Sequence, residues 1–327
     1  MMSPADKFAP FRFSLDDLPK KNWTEALREL YGRIMVKHEL EPLTDGAPRL
    51  DATLWALPGL GLSSVTCSSF HLWRTSDQID SDDLVLNVTL AGERQHRQRG
   101  REAIVTEGEA VLATCENIAE TIVSPGTRFV SFRIPRDALE PMVADPDAGL
   151  CQPIPRDTEA LRLLVSYARS LQDGHALATA ELRHLVTTHI CDLAALAIGA
   201  TRDAAEMARG RGVRAARLEA VKADILANII RPGLTIDAVA LRQGISPVYV
   251  RKLLRDDGTT FTEFILTKRL TRAHRMLGDP RFASSTISAI AFDAGFSDLS
   301  YFNRAFRRLY GETPSDVRAK ARIEERN

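Results

Sequence analysis

The chain has 327 residues, 44% of them apolar and 26% charged, which is enough for two domains with sizeable cores and ordinary for a soluble protein. Its formal net charge is zero, yet residues 216–327 hold 19 Lys and Arg against 13 Asp and Glu, a local surplus suited to phosphate. Cys67, Cys115, Cys151 and Cys191 lie far apart with no Cys-x-x-Cys motif, which excludes a zinc cluster and a disulfide framework and fits a reducing cytoplasm.

No apolar run approaches membrane-spanning length, and Met1–Lys7 lacks the apolar stretch of a secretory signal. A cytoplasmic protein with no membrane contact is expected. Residues 1–20 read as a loose arm. Asn22 or Thr24 can cap a helix whose stripe is Trp23, Leu27, Leu30 and Ile34. From about 50 to 135 the pattern changes to short β runs: Ala52–Leu57, Leu62–Arg74, Leu84–Ala91, Glu102–Thr106, Ala110–Cys115, Ala119–Val123 and Phe129–Ile134. Turn residues such as Pro58-Gly59, Gly92, Gly100, Gly108 and Pro125-Gly126 separate them, so a small antiparallel barrel or double sheet is expected. Pro135 then opens a short helix.

Two longer helices follow over about 155–200. One carries Leu161, Leu164, Ala168 and Leu171; the other carries Leu182, Val186, His189, Leu193 and Leu196, nearly a heptad stripe. Exposed, that stripe would join two copies of the chain; buried, it would pack on the sheets. A homodimer is expected, with His189 read as a satisfied core or interface histidine. Residues 201–216 lack a consistent apolar face and contain Arg209-Gly210-Arg211-Gly212, which reads as a linker.

From 217 to 327 the pattern is helical throughout. Leu218, Val221, Ile225 and Ile229 give the first helix its face, and Pro232-Gly233 stops it. Thr235 caps the second helix. Ser246 caps the third, with Pro247 at its first position. Thr260-x-x-Glu263 is a capping box for a long helix with the stripe Leu266, Leu270, Ala273 and Leu277, ended by Gly278. Ile287, Ile290 and Ala291 mark a fifth helix, Ser297 starts a sixth, and Thr313-Pro314-Ser315-Asp316 starts a seventh. One pattern occurs twice here, 51 residues apart: Ala240-x-x-x-Gly244-Ile245-Ser246 and Ala291-x-x-x-Gly295-Phe296-Ser297. The small residue lets two helices approach, the Gly supplies positive φ for a tight turn, and the Ser caps the next helix. Two copies predict two helix-turn-helix units, each presenting one helix to DNA.

Gly295 through Phe306, continuing through Tyr310-Gly311-Glu312-Thr313-Pro314 to Arg318, resembles the signature of the AraC/XylS family of bacterial transcription regulators. The resemblance covers about 217–322. It implies two helix-turn-helix subdomains joined by a long helix at about 260–277, with both recognition helices in successive major-groove segments. Residues 1–200 are similar to the family's sensor domain at Arg74-Thr75, Leu84–Gly92, Gln98–Arg101 and Ile134-Pro135-Arg136. The fold class expected is therefore α+β: a cupin-like β-barrel sensor with a helical dimerisation segment, then an all-α tandem helix-turn-helix domain. The function implied is a sequence-specific transcription regulator, an activator controlled by a small aromatic or amine-containing effector. Double-stranded DNA, that effector and RNA polymerase are its expected partners.

Base readers sit on the outward face of a recognition helix near its N-terminus. In the first, Tyr249, Val250, Leu253 and Leu254 face inward by periodicity, which leaves Val248, Arg251, Lys252 and Arg255 for DNA. In the second, Phe302, Ala305, Phe306 and Leu309 form the inner face, which leaves Leu299, Ser300, Asn303, Arg304 and Arg307, with Asp298 as a cap or an acceptor for cytosine. Arg251 and Arg304 are the candidate guanine readers. The sensor candidates are His71 and Trp73 on one strand face, with Trp55 and Asn87 in neighbouring runs. A metal cupin would show His-x-His with a following Glu, whereas Gly92–Gln98 has the single His96, so no metal, cofactor or catalytic residue is expected. Two rivals are an N-terminal domain that only dimerises and a cupin-type enzyme fused to a DNA-binding tail.

Overall fold

The computed structural model describes residues 10–17, 23–44, 47–171, 179–231 and 233–324. The chain divides into two compact units, 1–216 and 217–327.

The N-terminal unit is built on two antiparallel sheets. The larger runs in the order β1 (Phe11–Ser14), β3 (Leu50–Leu57), β4 (Leu60–Cys67), β11 (Thr127–Ile134), β6 (Leu84–Ala91), β9 (Ala110–Thr114) and β12 (Pro153–Ile154). The smaller runs β2 (Glu39–Pro42), β5 (Phe70–Arg74), β10 (Ala119–Val123), β7 (Glu93–Gln98) and β8 (Arg101–Thr106). The run expected over Leu62–Arg74 is thus two strands in different sheets, because the chain crosses between them at Ser68-Ser69. Part of the expected loose arm is ordered, since Phe11–Ser14 pairs with β3; Met1–Ala9, Leu18–Lys20 and the candidate cap Asn22 lie outside the described residues. Trp23–Ala26 (α1) and Gly32–Ile34 (α2) are α-helical with a π-helical turn between them, and Trp23 and Leu30 pack beside Phe13, Leu40 and Phe70. This is the double sheet that the β runs predict and the cupin-like arrangement that the resemblance implies.

Strand alternation gives the larger sheet two apolar faces. One packs Leu62, Leu84, Leu86, Val88, Leu112, Phe132 and Ile134 against the helices, and the other looks toward the smaller sheet. After α3 (Arg136–Leu139), helices α4 (Glu159–Ser170) and α5 (Ala180–Ile198) cover the first face with Leu161, Leu164, Ala168, Val186, Ile190 and Leu193. The stripe Val186, His189 and Leu193 is therefore core of its own chain, not a free seam; Leu193 is fully buried. His189 is satisfied, with Nδ1 2.8 Å from the Tyr167 hydroxyl. The exposed apolar residues of α5 are instead Leu182 and Leu185.

Residues 201–216, expected as a linker, are helical: α6 (Arg202–Ala208), a π-helical turn over Arg209–Val213, then α7 (Arg214–Ala227). The reason is packing that a linker reading ignores. Ala204, Ala205, Ala208 and Ala216 are buried, and the Arg211 guanidinium forks onto the Asp192 carboxylate at 2.7 and 2.8 Å. Gly212 lets this segment touch α5, since a Cβ there would lie 2.7 Å from that of Asp192.

The C-terminal unit is helical. α7, α8 (Ile236–Gln243), α9 (Pro247–Asp256) and the start of α10 (Phe261–Gly278) enclose one core of Val221, Ile225, Val239, Val250, Leu253, Leu254 and Ile265. The rest of α10, with α11 (Ile287–Asp293), α12 (Leu299–Tyr310) and α13 (Pro314–Glu324), encloses a second of Leu270, Ala273, Leu277, Ile290, Phe296, Phe302 and Phe306. The caps are as expected at Thr235, Ser246 and the Thr260–Glu263 box. The stop expected at Pro232 lies outside the described residues.

Candidate nucleic-acid interface and ligand cavity

Each helix-turn-helix is positioned by its turn. Gly244 ends α8 in the left-handed region (φ 64°), and the Ser246 hydroxyl accepts the Tyr249 N–H, so α9 starts at Pro247. The second turn is longer, with five residues between α11 and α12 against three between α8 and α9. Gly295 has φ 98°, but the cap is Asp298, whose Oδ1 accepts the Tyr301 N–H at 2.9 Å, and α12 starts at Leu299. Ser297 is thus not the cap. Both side chains are competent, and no proline pins the start as Pro247 does in the first copy.

All nine candidate DNA residues stand on the exposed sides of these helices: Val248, Arg251, Lys252 and Arg255 on α9, and Leu299, Ser300, Asn303, Arg304 and Arg307 on α12. Phe302, Ala305 and Phe306 face inward as expected, whereas Leu309, in the last turn of α12, is 49% exposed. Among the described residues, the five cations of these faces form no ion pair. Other cations of the unit are engaged: Arg242 binds Asp224 at 2.6 Å and Lys222 binds Asp257 at 2.8 Å. Unpaired guanidinium and ammonium groups on one helix face are what phosphate and guanine edges require.

The two helix-turn-helix halves are joined through Arg269 on α10. It donates from Nε to the Ile229 carbonyl at 2.9 Å and from Nη2 to that of Arg231 at 3.1 Å, tying the long helix to the end of the first half. Gly295 of the second half seats against this pair: a Cβ there would lie 2.7 Å from the Ile229 oxygen and 2.8 Å from Arg269 Nε. Around Gly244 a Cβ meets nothing within 4 Å. Gly244→Ala should therefore cost only left-handed strain, about 1–2 kcal/mol. Gly295→Ala should cost clearly more, because backbone and a bonded guanidinium must also move. Thermal or urea unfolding of the two full-length variants checks this; equal losses would mean that the contact is soft.

A cavity of about 60 Å³ lies between the two sheets of the N-terminal unit. Leu50, Val65, Phe129 and Asn87 line it from the larger sheet, Leu72, Arg74, Arg94, His96 and Thr121 from the smaller, and Tyr31, Met35 and His38 from the segment around α2. Of the sensor candidates only Asn87 lines it, accepting from the Ser131 hydroxyl at 2.7 Å. His71 and Trp73 do share a face, with rings 4.9 Å apart, but it is the opposite one: on β5 it is Leu72 and Arg74 that point inward. His71 Nε2 instead pairs with Glu120 at 2.8 Å on the outer side. Trp55 faces the helices and is buried in that core beside Leu57 and Leu62.

The most polar wall is β7, which no β run predicted. Glu-Arg-Gln-His-Arg-Gln has no apolar alternation, yet Arg94, His96 and Gln98 are buried while Glu93 and Arg97 are exposed. The usable signal was the two-residue turn Arg99-Gly100, with positive φ at both residues, which joins β7 to β8 as a tight hairpin. His96 Nδ1 lies 2.9 Å from the Thr121 hydroxyl. Burial, with Arg94 adding to it, pushes the His96 pKa down to about 3, so the ring is neutral at pH 7.

A family model described as a helix-turn-helix domain matches residues 239–320, and one described as an AraC-binding-like domain matches residues 27–199. The chain is 25% identical over 319 residues to the transcriptional activator RhrA of Rhizobium meliloti (strain 1021), covering 95% of this chain and 98% of that protein. It is 29% identical over 293 residues to the transcriptional activator NphR of a Rhodococcus species, covering 81% and 79%. Among solved structures, the AraC-like transcriptional activator CuxR matches with 15% identity and a TM-score of 0.47, covering 88% of this chain and all of that one. Among the described residues no helix is long and apolar enough to cross a membrane. With the sensor-type match alone spanning more than half of it, the chain belongs to the AraC family of transcription regulators.

Proposed function

We propose that this protein is a sequence-specific DNA-binding transcription activator, controlled by a small molecule bound between the sheets of its N-terminal unit. The observation that carries the DNA-binding half is the pair of capped helix-turn-helix units whose outer faces bear Arg251, Lys252 and Arg255, and Arg304 and Arg307, free of ion pairs among the described residues. Val248, Leu299, Ser300 and Asn303 complete the reading surfaces. Activation is carried over from RhrA and NphR, both transcriptional activators; RNA polymerase would then be this chain's partner at the promoter. Effector control is supported by the buried cavity with polar groups in an otherwise apolar wall. Residues 1–200 would sense and dimerise, through the exposed side of α5 at Leu182 and Leu185, and 217–327 would bind promoter DNA in the cytoplasm.

The test is a thermal-shift screen of the full chain against small metabolites, with promoter binding followed in parallel. A ligand at 100 times its Kd adds roughly 2.7 kcal/mol to the liganded state. At least one metabolite should raise Tm and change DNA affinity or transcription. A thorough screen with no hit, while DNA binding is intact, overturns effector control and leaves an N-terminal unit that only assembles.

A further inference from the structure

The cavity contains a cation without a counter-ion. Arg94 is 6% exposed, and its Nε and Nη1 are buried with no hydrogen-bond partner. Its guanidinium lies over the Phe129 ring, 4.1 Å from the centroid. The other guanidinium of the wall is used: Arg74 donates to the carbonyls of Thr114 and Asn117, each at 2.6 Å. Among the described lining residues there is no Asp or Glu. His96, 5% exposed, has its Nε2 buried and unpartnered, and Nδ1 is taken by Thr121. Two side chains on one strand, both more than nine-tenths buried, thus offer unsatisfied polar atoms to the same space. A ring contact offsets only part of the desolvation of a guanidinium, and buried charges are ordinarily paired.

We infer that the cavity takes a small organic acid, its carboxylate on Arg94 with His96 beside it and its apolar part against Leu50, Val65, Leu72 and Phe129. This rests on the effector reading above and names the class of effector. A carboxylate matches the fork of a guanidinium and supplies the missing charge. A cationic amine would instead meet Arg94 and Arg74 with no acid to receive it, so of the aromatic and amine classes expected from sequence the amine is disfavoured. Size narrows the choice further. A cavity of about 150 Å³ holds benzene, and this one has about 60 Å³. Acids the size of acetate or propionate enter it as it stands, and an aromatic acid requires side chains such as Met35 or Tyr31 to move aside.

The experiment is calorimetric titration and thermal shift of the full chain with sodium acetate, propionate and benzoate, at fixed pH and ionic strength. Propionamide and propylamine serve as matched neutral and cationic controls, and Arg94→Met is measured alongside the wild type. At least one acid should bind and raise Tm, the amide and amine should not, and Arg94→Met should weaken acid binding at least tenfold. The variant also carries a second readout. With that unpartnered buried charge removed, it should be at least as stable as the wild type without acid, whereas an arginine whose role is structural would leave it less stable. Arg94→Lys, which keeps the charge, should retain part of the binding and covers the case in which the Met variant does not fold. Acid and amide binding alike, or acid binding unchanged in Arg94→Met, overturns the inference. A neutral metabolite that binds and alters DNA affinity, with no acid binding, also overturns it and leaves effector control standing; no ligand of any class sinks both.

Discussion

Replacing Leu193 by Asp is expected to abolish cooperative folding of the N-terminal unit instead of releasing a soluble monomer. Leu193 is fully buried among Leu161, Leu164, Ile190 and the sheet residues Leu86, Leu112 and Phe132. Leu→Ala at such a site removes about 2–5 kcal/mol through lost burial and the cavity left behind. Asp adds a carboxylate to this apolar core, so the loss should exceed about 4–5 kcal/mol, a large part of the roughly 5–15 kcal/mol that holds a domain folded. Leu185→Asp is the control. Leu185 is 49% exposed on the same helix, so that variant should keep its fold, and should separate the two copies if they meet at this side of α5 as proposed above. Circular dichroism and sedimentation on both variants decide the matter. A folded, soluble Leu193→Asp monomer would mean that the heptad-like stripe faces a second copy after all; dissociation by Leu185→Asp alone places the seam on the exposed side of α5.

That stripe shows what the sequence could not say. Val186, His189 and Leu193 repeat at helical spacing whether they meet another subunit or their own sheet, because periodicity reports which residues share a face and not what covers it; Leu182, which extends the same spacing, is exposed. The C-terminal helices were legible for the opposite reason. A cap such as Thr235 or the Thr260–Glu263 box acts over three residues, so the local sequence contains both partners. Even there, Ser297-Asp298 offered two adjacent caps, and only the fold chose Asp298. The ligand cavity was the least legible part. Its polar wall, β7, hides arginine and histidine on the inward face, which defeats a reading that takes apolar residues for the interior. His71 and Trp73 were correctly placed on one face of a strand, but alternation alone cannot tell the inner face from the outer. Asn87 was found and Arg94 was not, and it is the uncompensated charge of Arg94 that distinguishes this cavity from ordinary core.

Removing Arg251 and Arg304 together is expected to cost about the sum of the two single losses, each on the order of 1–3 kcal/mol of specific DNA binding. Arg251 stands on α9 over the core of Val250, Leu253 and Leu254; Arg304 stands on α12 over that of Phe302 and Phe306. Neither side chain shares a partner with the other, so their effects should add within a few tenths of a kcal/mol. Together they amount to roughly 2–6 kcal/mol, which takes a nanomolar site to tens of nanomolar at the low end and past micromolar above about 4 kcal/mol. Each single Ala variant should relax base preference at one sub-site only, the two sub-sites lying about one helical turn, roughly 10–10.5 base pairs, apart. The site need not be palindromic, because the two helices differ in sequence. Lys252→Ala and Arg307→Ala should behave differently: if these groups meet phosphate, binding to all sequences weakens alike and the salt dependence flattens by about one counter-ion. Binding-site selection on the wild type and the four variants, followed by titrations at several salt concentrations, separates the two kinds of contact. If Arg251→Ala shifts preferences in both sub-sites, the halves do not read DNA independently, and the tie through Arg269 and Gly295 becomes the place to look for their coupling. If neither arginine variant shifts any preference, both side chains contact backbone, and base reading falls to Val248, Ser300 and Asn303 beside them.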